Sequence, residues 1–226
     1  MTTPITQMPK PEASQYKNKR KLFLVPNFIL PSDIPEEGKV LLQQYWAQID
    51  EHIRNLEKSL GNVKHIYHER IYVEGNEGIQ TLKEINPNAA PMIEDMCQRG
   101  AKLEATESMD LTQEIIDWSY FFNSFTQLKF LCENSKSLQQ EFLKPLSEVL
   151  SNQKIMTTAL ESSQNTNSAR FDHILSTIEN TLKSEEPGIL VIGEDHRIQF
   201  PSEIQILFCT IKFNRFTNLF FYKMPL

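Results

Sequence analysis

The feature that most constrains this 226-residue chain is an apolar period of four and three residues that recurs along two long stretches. Such a period places apolar side chains on one face of a helix. The first stretch, 35–60, follows Ser32 and Asp33, which favour a helix start, and precedes Gly61, which favours a helix end. The second stretch is 109–131. The chain is therefore predicted to build its core around long amphipathic helices.

Four short segments predict β-strands, because they are rich in β-branched and aromatic residues and are bounded by turn-forming residues. They lie near residues 63–73, 189–193 and 197–200, with a fourth candidate at 204–208. The turn between 189–193 and 197–200 predicts a hairpin. Since the strands are few and widely separated while the helices are long, the fold class predicted is α+β, helix-rich with a small β-sheet.

Charge divides the chain into three parts. Residues 1–21 carry a net +4 and residues 209–226 a net +3, so the overall −6 leaves −13 on residues 22–208. We predict that residues 1–21 are a disordered basic tail and that residues 22–208 are a single domain. A domain this acidic repels phosphate backbones, which disfavours nucleic-acid binding.

The last part of the chain differs in composition from the rest. Ten of the thirteen residues from 211 to 223 are Phe, Ile, Lys, Asn or Tyr, the residues of AT-rich codons. The segment also lacks a helical or alternating period along its length. We hypothesise that residues 209–226 are an atypical, frameshifted tail that replaced the native ending.

Nothing in the sequence indicates a membrane span, a secretory leader or a disulfide framework. No apolar run reaches the roughly 18 residues that a bilayer requires, residues 1–20 lack the apolar core of a signal peptide, and the three cysteines are sparse and odd in number. We therefore expect a cytoplasmic protein. The seven glycines never stand two residues apart, which excludes the glycine-rich turn of dinucleotide-binding folds, and we predict no cofactor.

A carboxylate stands beside an imidazole in the predicted turn. This pair is the raw material of general acid–base catalysis, because the acid orients the ring and stabilises its charge. The candidate catalytic residues are Glu194, Asp195 and His196, with His65 and Glu69 of the predicted 63–73 strand as partners. Turn residues without a catalytic role give the same pattern, because aspartate is favoured in turns by its own backbone hydrogen bonds.

The segment His65-Ile66-Tyr67-His68-Glu69 has the composition of a metal motif. On a strand, however, the odd separation of His65 and His68 sends their side chains to opposite faces. His65 and Glu69 share a face, but two ligands are too few for a zinc site. No metal site is predicted.

Acidic residues recur every three or four positions between residues 104 and 117. A stripe of this kind is typical of a solvated helix face, and acids also suit the first turn of a helix. Its members are Glu104, Glu107, Asp110, Glu114 and Asp117.

The apolar helix faces have two interpretations, as core or as a surface for a partner. The residues concerned are Trp46, Ile49, Ile53, Leu56, Trp118 and Phe122. Because no catalytic signature is present, we favour a non-enzymatic interaction or structural protein that self-associates, or binds a protein partner, through the 35–60 or 109–131 helix. The alternative is a hydrolase or other acid–base enzyme that uses the 194–196 turn with His65 and Glu69.

Two segments carry a resemblance to known sequences. They are Asp33-Ile34-Pro35-Glu36-Glu37-Gly38-Lys39 followed by Tyr45-Trp46, and residues 188–192 followed by Glu194-Asp195-His196-Arg197-Ile198-Gln199-Phe200-Pro201. Over most of residues 22–207 the chain resembles an uncharacterised family of bacterial proteins. The resemblance implies a bacterial or phage-like setting and a shared fold, and it implies no activity or catalytic residue.

Overall fold

The computed structural model describes residues 19–28, 35–135 and 140–209. Most of the predicted basic tail and all but the first residue of the predicted atypical ending lie outside these residues. In chain order the described elements are β1 (Arg20–Pro26), α1 (Glu36–Leu60), β2 (His65–His68), α2 (Gly75–Ile85), α3 (Ala90–Gln98), β3 (Lys102–Leu103), α4 (Met109–Asn134), α5 (Gln140–Leu150), α6 (Gln153–Thr181), β4 (Pro187–Ile192) and β5 (Ile204–Phe208).

The strands form one sheet in the order β3-β2-β4-β1-β5, and every neighbouring pair is parallel. Helices cover both faces of the sheet, so its central strands are buried on both sides. This explains why β1 and β4 contain uninterrupted apolar runs, Leu22–Val25 and Ile189–Ile192, rather than alternating patterns. The predicted helix-rich α+β fold with a small sheet is confirmed.

Two separate cores lie on the two faces of the sheet. On one face, side chains of α1, α2 and α3 pack against strand residues such as Phe23 and Ile189. On the other face, Ile174 and Ile178 of α6 pack against strand residues that include Tyr67. The sheet is therefore the middle layer of a three-layer arrangement.

The predicted hairpin is wrong. Residues 197–200, which the structure describes, form no strand, and the 204–208 segment is β5, which pairs in parallel with β1. The physical reason is that β4 lies between β1 and β2. Both edges of β4 are occupied, so no edge remains for a returning strand.

The predicted 63–73 strand is also too long, because β2 covers only His65–His68. Arg70 has a φ of +67°, a left-handed conformation that strand geometry does not allow. The chain therefore turns away from the sheet directly after Glu69, although β-branched residues continue to Val73.

The α1 face is core and does not form a partner surface. Trp46, Ile49 and Ile53 are buried, and Leu56 is half-buried against the same cluster. The reason is that this amphipathic face packs onto the sheet and is used up by the fold. Trp118 and Phe122 differ, because they lie half-buried on α4.

The acidic stripe is not uniformly solvated. Glu104 and Glu107 are buried, whereas Asp110, Glu114 and Asp117 are exposed. The two buried acids precede α4, which begins only at Met109, so the helical period does not extend to them.

The helices that lie between β3 and β4 in the sequence project from the sheet. We use the name arm for α4, α5 and residues 153–170 of α6. Arg170 contacts Glu69 just beyond the carboxyl end of β2, and the rest of α6 runs back along the sheet to its amino edge. The 17 residues of α6 before Arg170 therefore extend about 25 Å beyond the carboxyl edge. There Thr166 donates a hydrogen bond to Glu114 of α4 at 2.7 Å.

The two ends of the described domain differ from the predicted boundaries. Arg20 and Lys21, assigned to the tail, are part of β1. Cys209 is buried in the core, and its backbone N–H donates to Leu24 O at 2.9 Å. Residues 210–226 lie outside the described residues, so the frameshift hypothesis stays a prediction. Within the described part of the chain, no helix combines the length and hydrophobicity that a bilayer span requires.

Candidate functional site

The carboxyl ends of three neighbouring strands bring polar residues together. Asn27 follows β1, Glu69 follows β2 and Gly193 follows β4. Backbone hydrogen bonds hold them side by side, from Asn27 N to Ile192 O at 2.9 Å and from Glu69 N to Val191 O at 3.0 Å. In parallel α/β sheets this edge is where ligands bind.

Glu69 occupies the centre of this edge. Its carboxylate is mostly buried; Oε1 accepts a hydrogen bond from Asn27 Nδ2 at 2.7 Å, and Arg170 Nη2 lies 3.4 Å from Oε2. Gly193 lies against the carboxylate, since a Cβ added there would be 3.8 Å from both oxygens and 2.8 Å from Asp195 Oδ1. A side chain at this position would fit against Glu69 but would collide with Asp195 Oδ1, so the glycine makes room for the Asp195 carboxylate in the turn after β4.

Arg170 joins the arm to the site. Its Nε lies 2.9 and 3.0 Å from the two carboxylate oxygens of Glu107, and its Nη2 contacts both Glu107 and Glu69. The Glu107 side chain is completely buried and that of Arg170 is 15 % exposed. One guanidinium thus holds two carboxylates from different segments in fixed positions, as a planar donor fork allows.

A buried chain of hydrogen bonds supports Glu69 from behind. Ala89 N donates to Asn86 Oδ1 at 3.2 Å, Asn86 Nδ2 donates to Asn27 Oδ1 at 2.8 Å, and Asn27 in turn donates to Glu69. In each of the two asparagine side chains, the amide oxygen accepts one of these hydrogen bonds and the amide nitrogen donates the next. The carboxylate of Glu69 is therefore oriented by the interior of the domain.

His68 belongs to the same network and is fully buried. Its Nδ1 pairs with the Glu69 carbonyl oxygen, and its Nε2 lies 3.3 Å from Asn86 Nδ2. Nδ1 therefore carries the proton and Nε2 accepts, which describes a neutral ring. Burial lowers the pKa of His68 to about 4, in agreement with this assignment.

His196 lies in the turn after β4, close enough to Glu69 for their charges to interact. Burial lowers the pKa of His196, while the negative charges of Asp195 and Glu69 oppose that effect. Its Nδ1 is buried without a hydrogen-bond partner among the described residues. The imidazole is thus half-buried, in a turn whose Gly193 lies against the Glu69 carboxylate.

The structure brings some of the candidate catalytic residues together and separates another from them. Glu69, Asp195 and His196 meet at the carboxyl edge, with Glu194 exposed beside them. His65 does not, because it begins β2 and lies about 13 Å away along the strand.

His65 instead forms ion pairs at the amino edge of the sheet. Its Nδ1 lies 2.8 Å from Glu104 Oε1, and its Nε2 lies 3.4 Å from Glu186 Oε2. Its assignment as a partner of the turn residues is therefore corrected. Within the described ranges, no group of three or more His, Cys, Asp or Glu side chains could hold a metal ion.

Sequence reasoning missed the residues that build the site around Glu69. Asn27 directly follows the apolar run of β1, a position that marks a strand's carboxyl end, and this signal was available. Asn86, Glu107 and Arg170 had no local signal, because their partners are 59, 63 and 101 residues away.

No protein-family model matches the chain, and neither the curated proteins nor the solved structures contain a detectably similar one. The function is therefore argued from the geometry of the site.

Proposed function

We propose that the carboxyl edge of the sheet is the active site of a hydrolase, with His196 as general base and Glu69 as the charge that stabilises its protonated form. The observation that carries this proposal is that the turn bearing the half-buried His196 lies against the buried, fixed carboxylate of Glu69: a Cβ on Gly193 would be 3.8 Å from both Glu69 oxygens, and His196 N donates to Gly193 O at 3.3 Å. A histidine–carboxylate pair has this arrangement in many acid–base sites.

In this mechanism the neutral His196 ring accepts a proton from a water molecule as the water oxygen attacks an electrophilic carbon. The negative charge of Glu69 stabilises the resulting imidazolium. When the bond to the leaving group breaks, the imidazolium returns its proton to that group. Asn27 and Arg170 hold Glu69 in place and do not take part in proton transfer.

The charge of the site limits the substrate. The turn that carries His196 also carries the carboxylates of Glu194 and Asp195 and the exposed guanidinium of Arg197, while Arg170 is already paired with Glu107 and Glu69. The net charge of −13 on residues 22–208 disfavours a substrate with several negative charges. The geometry thus supports a neutral or cationic ester or amide.

The first prediction concerns the coupling between the two residues. In the Glu69→Gln variant, we expect NMR titration to show a lower pKa for His196 than in the unmodified protein, because a charge that raises this pKa is removed. His196→Gln should slow hydrolysis of a neutral nitrophenyl ester by about 10²-fold or more.

Glu104→Gln is the matched control, since it neutralises a buried carboxylate at the opposite edge of the sheet. It should leave the His196 titration unchanged. A His196 pKa that is the same in the Glu69→Gln variant and in the unmodified protein would show that the two groups are not coupled and would refute the mechanism.

A second candidate function is non-enzymatic, namely self-association or binding of a protein partner through the arm. It is supported by α4, all of which the structure describes and none of whose 26 residues is buried. Most helices of this length bury one face, because a helix in a protein gains most of its stability from the packing of that face. A cytoplasmic location belongs to both proposals and is supported by the three unpaired thiols.

A further inference from the structure

Large apolar side chains line the outer side of α4. Five of them lie within an arc of about 100° around the helix, given 3.6 residues per turn. We call this set the outer stripe: Met109, Ile116, Tyr120, Phe130 and Leu131. Its two aromatic members, Tyr120 and Phe130, are 68 % and 64 % exposed.

The outer stripe contains no charge. All five charged residues of α4 lie outside its arc, and the positions between its members are filled by uncharged side chains such as Gln113, Asn123 and Asn134. An exposed helix face is ordinarily charged. An apolar, uncharged stripe about 33 Å long, on a protein with a net charge of −6, marks a surface that becomes covered.

We propose that the outer stripe of α4 binds the same stripe of a second copy of the chain, with the two helices antiparallel. This proposal rests on the self-association suggested above and adds the surface and its orientation. A stripe without charge offers nothing to a charged partner, whereas it is complementary to itself, as a two-fold interface requires. Neither copy would bury an unpaired charge.

Electrostatics selects the antiparallel orientation. Residues 22–208 carry a net charge of −13. A parallel pair would place two such bodies side by side and would align Asp110 and Asp117 with their own counterparts. An antiparallel pair places the bodies at opposite ends of a helix about 39 Å long, several times the Debye length of about 8 Å at physiological ionic strength.

The pattern of residues sets the register. When the two-fold axis passes Asn123, Ile116 of one copy lies opposite Phe130 of the other, and Tyr120 lies at the level of Gln127, which is within the arc of the stripe. The two Asn123 side chains then meet at the centre. The two copies of Asn134 lie about 33 Å apart.

Cysteine cross-linking of the full chain tests this arrangement. Under mild oxidation we expect Asn123→Cys to form a covalent dimer and Asn134→Cys to form none above the level of the unmodified protein, whose Cys132 provides the background. Cross-linking of both variants would indicate a parallel pair, because each residue then lies beside its own counterpart, and would overturn the proposal, as would the absence of a covalent dimer of Asn123→Cys.

Analytical ultracentrifugation distinguishes the outer stripe as the interface from self-association in general. The unmodified protein should have twice the 26.3 kDa mass of one chain. Tyr120→Glu should be a folded monomer with an unchanged circular-dichroism spectrum, because Tyr120 is exposed within the chain. Val40→Glu, at an exposed position of α1, should stay dimeric. A monomeric unmodified protein refutes self-association altogether. A dimer that Tyr120→Glu leaves intact refutes only the outer stripe as its interface.

Discussion

Replacing Glu107 with glutamine is expected to lower the free energy of unfolding by about 2–3 kcal/mol. The change removes the closer of the two carboxylates that pair with Arg170 and leaves the guanidinium with Glu69, at 3.4 Å, as its charged partner. Because the Arg170 side chain is only 15 % exposed, water cannot replace the lost partner. The pair also connects the arm to the carboxyl edge, so the same variant should loosen α6 relative to the sheet.

Urea denaturation measures this effect, and Glu36→Gln is the matched control. Glu36 pairs with Lys39 at 3.1 Å, but both side chains are exposed, so its loss should cost less than about 1 kcal/mol. The triple variant Glu69→Gln, Glu107→Leu and Arg170→Met should recover much of the stability, because no charge of this cluster then remains buried. Equal effects of Glu107→Gln and Glu36→Gln would contradict the buried-pair explanation.

Acidification should destabilise the protein through His68. The pKa of this group is about 4 in the folded protein and near 6.5 in the unfolded chain. Because the folded value is the lower one, the unfolded state binds the proton first as the pH falls. The stability is complete above pH 6.5 and is lost between pH 6.5 and 4. Between pH 7.5 and 5 we expect a loss of about 2 kcal/mol from this residue.

The measurement compares the pH dependence of unfolding in the unmodified protein and in His68→Gln, which should show a shallower dependence. His52→Gln is the control, because His52 is exposed and its removal should leave the dependence unchanged. The native protein gives an independent check by NMR. A His68 imidazole that titrates near pH 6.5 in the folded protein would rule out this account.

The sequence predicted the elements whose causes are local. The observed limits of α1, Glu36–Leu60, agree with the predicted 35–60 helix, and Gly61 follows it as predicted; its N-cap is Pro35, which makes no side-chain capping hydrogen bond. The second long helix was predicted at 109–131 and extends to Asn134. The predicted strand at 189–193 corresponds to β4. A strand buried on both faces appears in the sequence as a continuous apolar run, so it can be predicted from local residues alone.

The missed features depend on distant parts of the chain. The hairpin prediction failed because the neighbours of β4 are strands more than 100 residues earlier, and no local pattern shows that both its edges are taken. Glu107 has the same local pattern as a solvated acid, and only Arg170, 63 residues later, explains its burial. The even spacing of His65 and Glu69 places both on one face of a strand, yet they lie at opposite ends of β2 and therefore do not meet.

The position of β1 has a consequence for how the chain folds. β1 lies between β4 and β5, so Lys21 pairs with Pro187, 166 residues later. At translation rates of about 5–20 residues per second, the apolar run of β1 leaves the ribosome roughly 10–30 s before either neighbour exists. Its open edges must be shielded during that interval, and contacts of such long sequence separation form slowly. Completion of the sheet therefore depends on the last strands to be synthesised, and a nascent chain that stops before residue 187 has no partner for its first strand.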